Sequence, residues 1–179
     1  MISQTFADKI SKQDYTKKAL IEGVKIIDIS YFTDDGGAFC EIARILDDAG
    51  VRDHFSEFKL KQINWSQIEP GLIKAGHLHK NQEDIWFVPP TDRVLVGLMD
   101  VRTGSPTLGA KMRFVLGAGR ARLLYIPRGV VHGCANPYTK PMTLIYLVNQ
   151  NWTDDPEKSD EFRIDYSEFG EGFWEMVKG

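Results

Sequence analysis

Residues 71–83, GLIKAGHLHKNQE, decide how this chain is read. They hold two of its 4 histidines, His77 and His79, with a carboxylate, Glu83, close behind. Positions 77, 79 and 83 share one parity, and alternate side chains of an extended strand point to the same face. On an unbroken strand, two imidazoles and a carboxylate would therefore share one space. Such a set binds a divalent metal or moves protons. A third histidine, His132, arrives in IPRGVVHGCAN. His54, in RDHFSEF, reads as a surface residue.

The surroundings are insistently β. Residues 84–88 (DIWFV), 93–102 (RVLVGLMDVR), 112–116, 122–126 and 142–148 are short apolar runs broken by Pro and Gly turns. That pattern predicts an all-β sandwich or barrel. Upstream, residues 23–32 and 57–66 read as strands and TDDGG at 33–37 as a turn; residues 38–49 can start as a strand and end as a helix. Several runs are apolar on both faces, so something covers the outside as well: a second sheet, the N-terminal helix or another subunit.

The 179 residues suit one domain with a sizeable core. A net charge of −3 with both signs interspersed carries no nucleic-acid footprint. Two cysteines are too few for a disulfide framework and favour a reducing compartment. The polar N-terminus contains neither a signal peptide nor a membrane span, so a soluble cytoplasmic protein is expected. Residues 3–20 predict a short amphipathic helix packed on the outside. They are too short for a helix-turn-helix domain, which argues against a sugar-responsive regulator. The expected organisation is a helical segment over 1–21 and a single domain over 22–179.

Two split motifs carry a resemblance. GLIKAGHLHKNQE fits Gly, five residues, His-x-His, three residues, Glu. PRGVVHGCAN fits Pro-x-Gly, two residues, His, three residues, Asn, through Pro127, Gly129, His132 and Asn136. The chain resembles the cupins, which implies a double-stranded β-helix (jelly-roll barrel) with its site in the mouth, here preceded by a short N-terminal helix. DVRTGSPT at 100–107, IPRGVVHG at 126–133 and the strand containing Tyr146 narrow this. They resemble the dTDP-4-dehydrorhamnose 3,5-epimerase family over roughly residues 22–174.

That resemblance implies that a histidine removes a proton beside a ketone and a tyrosine on the other side returns one. The family's base falls on His77, the histidine of its Pro-x-Gly-x-x-His turn on His132, and its acid on Tyr146. The carboxylate orienting the base falls on Glu168 or, with another gap, Asp165. Three family cations are absent: Ile85 stands near the position of the enolate-stabilising lysine, Gly36 replaces one arginine and Lys74 another.

A metal would supply the missing positive charge as a Lewis acid. The resemblance makes His77, His79, Glu83 and His132 its ligands, a set suited to Zn, Mn, Fe or Ni. His77 is then either base or ligand. The bland alternatives are a solvated turn carboxylate for Glu83 and core packing for Tyr146. Three function classes follow: an isomerase of a nucleotide-linked 4-keto-6-deoxy sugar, another metal-dependent cupin enzyme such as a ketoisomerase or dioxygenase, and a non-catalytic sugar-binding cupin. The expected partners are the small-molecule nucleotide-sugar and a second copy in a homodimer, with no nucleic acid and no membrane.

Overall fold

Alternating apolar positions organise nearly every element of the computed structural model, which describes residues 2–12, 20–52 and 55–176. In chain order the strands are β1 (Lys25–Asp28), β2 (Phe32–Asp34), β3 (Gly37–Phe39), β4 (Gly50–Val51), β5 (Phe55–Lys59), β6 (Gln62–Ile68) and β7 (Ile73–Leu78). They continue with β8 (Asp84–Phe87), β9 (Arg93–Asp100), β10 (Lys111–Gly117), β11 (Arg122–Ile126), β12 (Val130–Ala135), β13 (Met142–Val148) and β14 (Phe162–Arg163). Two five-stranded antiparallel sheets dominate, with orders β1-β11-β8-β13-β6 and β10-β9-β12-β7-β14. This is the jelly-roll arrangement expected of a cupin.

Each strand sends one parity into the space between the sheets. Val94, Val96 and Leu98 of β9 meet Trp86 of β8, Leu124 of β11 and Leu144 of β13 there. The opposite parity is apolar too, and the chain covers it itself. Ile85, Phe87, Leu123 and Leu147 lie under the segment carrying Val51, Phe55 and Phe58. Leu95, Met99 and Val131 lie under Phe169 and Trp174 of the C-terminal tail. Gly97 admits this cover, because a side chain there would run into the Phe173 and Trp174 rings. Burying each such aromatic stabilises the fold by roughly 2 kcal/mol.

The N-terminal helix is short: α1 spans Gln4–Ala7 and buries none of its residues, so the outer cover comes from elsewhere. Residues 13–19 of the predicted helix, and His54, lie outside the described residues. The helix allowed for in 38–49 is absent. Instead β3 ends at Phe39, and Cys40, Ile42 and Ala43 lie on the outer face of the first sheet. The predicted strand 57–66 is two strands, because Leu60 N–H donates to Ala49 while Lys61 N–H donates to Val148, carrying the chain from one sheet to the next.

The DVRTGSPT stretch is structural. Asp100 is fully buried and accepts from Arg102 Nε, Ser105 Oγ (2.6 Å) and Thr107 Oγ1 (2.6 Å). Arg102 also donates to the Glu22 carbonyl, tying the chain's entry to this corner. The Arg102 guanidinium holds the Asp100 carboxyl far below the usual carboxylate range. A depressed folded-state pKa contributes stability above the unfolded value and loses it as pH falls. Asp100→Ala should therefore cost about 3 kcal/mol in urea unfolding, the price of leaving Arg102 unpaired. Its gap to wild type should be constant above about pH 5 and narrow below pH 4.

Candidate active site

Strand β12 runs between β9 and β7, and its inward residues Val130, His132 and Cys134 are buried. His132 pairs in register with His77 on β7, but Cys134 pairs with Lys74, so β7 carries one extra residue between them. This bulge falls at Ala75–Gly76, where Gly76 adopts φ 82°. A bulge resets which face a strand's residues take. Lys74 and His77, of opposite parity, consequently line the same cavity. Gly76 also lets the tail approach: its carbonyl accepts from Ile164 N–H, and a side chain there would collide with the Ile164 carbonyl.

The cavity holds about 340 Å³ and is lined by His77, His79, His132, Asp84, Trp86, Tyr146, Lys74 and Glu161, among others. His77 and His132 stack at 5.9 Å between ring centroids, and His79 lies 5.2 Å from His132. Three imidazoles expected from two distant stretches thus meet in one place, with Tyr146 of β13 on the opposite sheet. Asn136, also in the second motif, has a structural part: it donates to the Ile68 and Lys140 carbonyls and fixes its own turn. Gly129 N–H donates to the His79 carbonyl at 2.7 Å, joining the two motifs through the backbone.

The three sequence-derived carboxylates are elsewhere. Strand β7 ends at Leu78, and the turn before β8 shifts the parity count, so Asp84 rather than Glu83 faces the cavity. Glu83 lies on the other side, accepting from Asn149 Nδ2. Glu168 sits in a short 3-10 helix, Tyr166–Phe169, outside the cavity, with its carbonyl accepting from Lys111. Asp165, the other option, caps that helix through Ser167 N–H. The carboxylate facing His77 is Glu161, with Oε2 3.9 Å from Nδ1. That is an ion-pair distance, longer than a hydrogen bond. The His77 imidazole holds Glu161 below the usual glutamate range, against the opposing effect of burial.

Asp160 places Glu161. Its carboxylate accepts backbone N–H groups of Lys80, Asn81 and Gln82, and its carbonyl accepts His79 Nδ1–H at 2.8 Å. The acidic tail therefore clamps the histidine-bearing turn. Nothing in TDDPEKSDEF distinguishes these two acids from their neighbours; only the pairing of β14 with β7 selects them. Arg163, on β14, also lines the cavity.

Burial holds His132 well below the usual imidazole range, so it is neutral at neutral pH. Its Nδ1 donates to the Val130 carbonyl, and its Nε2 faces Asp84 Oδ2 at 3.7 Å. Asp84 accepts from Gln82 Nε2 and Trp86 Nε1. Burial pushes the Cys134 thiol up to about 12, making it a protonated wall residue. The four predicted metal ligands do not converge as a set. Among the described residues the group that does is His79, Asp84 and His132, with ligand atoms all within 4.8 Å of one another.

A jelly-roll barrel whose mouth gathers histidines, carboxylates and a tyrosine has the architecture of a cupin. The chain belongs to the dTDP-4-dehydrorhamnose 3,5-epimerase family, whose sequence profile matches residues 18–170. It is 37% identical over 154 residues to the spore coat polysaccharide biosynthesis protein SpsL of Bacillus subtilis, covering 86% of this chain and 95% of that protein. It is 30% identical over 149 residues to the probable low-salt glycan biosynthesis epimerase Agl13 of Haloferax volcanii, covering 82% and 88%. It shares its fold, with TM-score 0.66 and 24% identity, with the dTDP-6-deoxy-D-glucose-3,5-epimerase of Legionella pneumophila in complex with dTDP-4-keto-L-rhamnose. That match covers 83% of this chain and 76% of the other.

The His77–Glu161 contact is directly measurable. Replacing His77 by Gln should raise the Glu161 pKa, read from its carboxyl carbon resonance across a pH titration. An unchanged Glu161 would mean that the two groups do not interact in solution.

Proposed function

We propose that this protein is an epimerase of a nucleotide-linked 4-keto-6-deoxy sugar, of the dTDP-linked kind named for its relatives. The observation that carries the proposal is the cavity itself: His77 backed by Glu161 on one sheet, Tyr146 on the other. A proton on carbon beside a ketone is weakly acidic, because its loss places a charge on the carbonyl oxygen. His77 would take that proton, its positive charge balanced by Glu161. The electron pair moves into the carbon–carbon bond and onto oxygen. Tyr146 would return a proton to the opposite face, inverting the centre.

Lys74 and Arg163, lining the same cavity, supply positive charge for a diphosphate or for the developing oxyanion. His132, held by Val130 and next to Asp84, would form the inner wall of the sugar site. No helix among the described residues is long and apolar enough to cross a membrane. Two copies would pair through the edge strand β6, whose Ile63 and Trp65 remain 60% and 63% exposed. Trp65→Glu should then sediment as a monomer where wild type sediments as a dimer.

The reaction is tested by incubating dTDP-4-keto-6-deoxyglucose with enzyme in deuterium oxide and following carbon-bound deuterium by NMR. His77→Asn should lower the exchange rate by about 10²–10⁴-fold, the range for loss of a general base. Tyr146→Phe should suppress inversion more than exchange. Wild-type protein that binds the nucleotide-sugar without exchanging any proton would leave a sugar-binding cupin instead.

A further inference from the structure

The cavity contains a grouping that proton abstraction by His77 does not use. His79 and His132 each donate Nδ1–H to a backbone carbonyl, that of Asp160 and that of Val130. A carbonyl only accepts, so in the neutral rings both Nε2 atoms carry lone pairs. Asp84 brings a third acceptor, whose oxygens are held by Gln82 and Trp86. One ligand atom from each of the three residues lies within 4.8 Å of the other two, and all three residues are buried. No donor hydrogen bond from the described residues reaches either Nε2. Converging lone pairs repel one another, and a cation placed between them relieves that repulsion.

We propose that His79, Asp84 and His132 form a binding site for one divalent transition-metal ion, leaving His77 free. The separation of 3.7 Å between His132 Nε2 and Asp84 Oδ2 fits two bonds of about 2.1 Å subtending about 120°, and His79 completes the set by closing on the ion by at most a fraction of an ångström. The set is two imidazoles and one carboxylate with open positions, which suits Zn, Mn, Fe or Ni better than Mg or Ca. Each ligand already has the outer partner that metal-binding side chains require: a carbonyl on each imidazole, and an amide and an indole N–H on the carboxylate. When bound, the ion supplies a Lewis acid that polarises a carbonyl oxygen.

This assignment differs from the set expected on sequence grounds in a way that matters. There His77 had to be either base or ligand. Here the ligands are the residues behind it, so the base, its partner Glu161 and a metal can coexist. The residue near the family lysine's position, Ile85, packs in the outer core and offers no charge. The metal site stands on the ligand geometry; only its use as an electrophile rests on the epimerase reading.

The test uses full-length protein stripped with EDTA and titrated calorimetrically with zinc or manganese, with no substrate present. One ion per chain is expected. His79→Gln and Asp84→Asn should each weaken binding by at least about 10–100-fold, while His77→Asn leaves it within about twofold. Cobalt(II) loaded into wild type should lose the spectrum of the hexaaquo ion, which decides the matter even if a ligand variant misfolds. Wild type that takes up no ion, cobalt that keeps its aquo spectrum, or binding that falls with His77→Asn and survives Asp84→Asn would overturn the proposal. Because substrate is absent, failure of the epimerase reading would leave these outcomes unchanged.

Discussion

The site depends on one pairing: His132 on β12 opposite His77 on β7. Strand β12 is flanked on both sides, by β9 and β7, so it cannot shift by one residue without turning Val130, His132 and Cys134 out of the core. Gly133 reinforces this, since a side chain there would strike Ala75 of the neighbouring strand. With β12 held, the bulge at Ala75–Gly76 sets where Lys74 and His77 point. A register error would cost the core and the site together.

The same economy governs the tail. Residues 160–174 cover the outer face of the second sheet with Ile164, Phe169 and Trp174. They also place Asp160 on the histidine turn, Glu161 opposite His77 and Arg163 at the cavity. Packing of the outer cover thus fixes the carboxylate that faces His77. The same segment supplies both a cover for the sheet and a lining for the cavity.

Electrostatically the cavity is divided. On one side His77 and Glu161 form a half-exposed pair. Deeper in, His132 is kept neutral by burial beside the Asp84 carboxylate, with Trp86 edge-on to its ring. One barrel mouth therefore holds both a solvent-facing imidazole–carboxylate pair and a buried cluster of imidazole and carboxylate acceptors. Lys74 and Arg163 add the positive charge that neither set provides.

Much of this was legible in the residues. Alternation and Pro/Gly punctuation identified the strands from Asp84 to Val148 as an all-β fold, because burial of one parity leaves a period of two in the chain. The parity of His77 and His79, together with the resemblance of the second motif to the cupins, predicted that their imidazoles would meet that of His132, as they do. Local spacing failed where the chain turns or travels. Glu83 and Asp84 are adjacent, and the turn between β7 and β8 decided which of them faces inward. Glu161 lies far from His77 in sequence, among acids of the same kind, and only the docking of β14 on β7 singles it out. The sequence by itself determined an all-β fold, since strand alternation is a local property, and its two motifs, by their resemblance to the cupins, placed the three histidines in one barrel mouth. Tertiary structure alone decided which carboxylate meets which imidazole, because that depends on a bulge, a turn and a tail contact with no local signature.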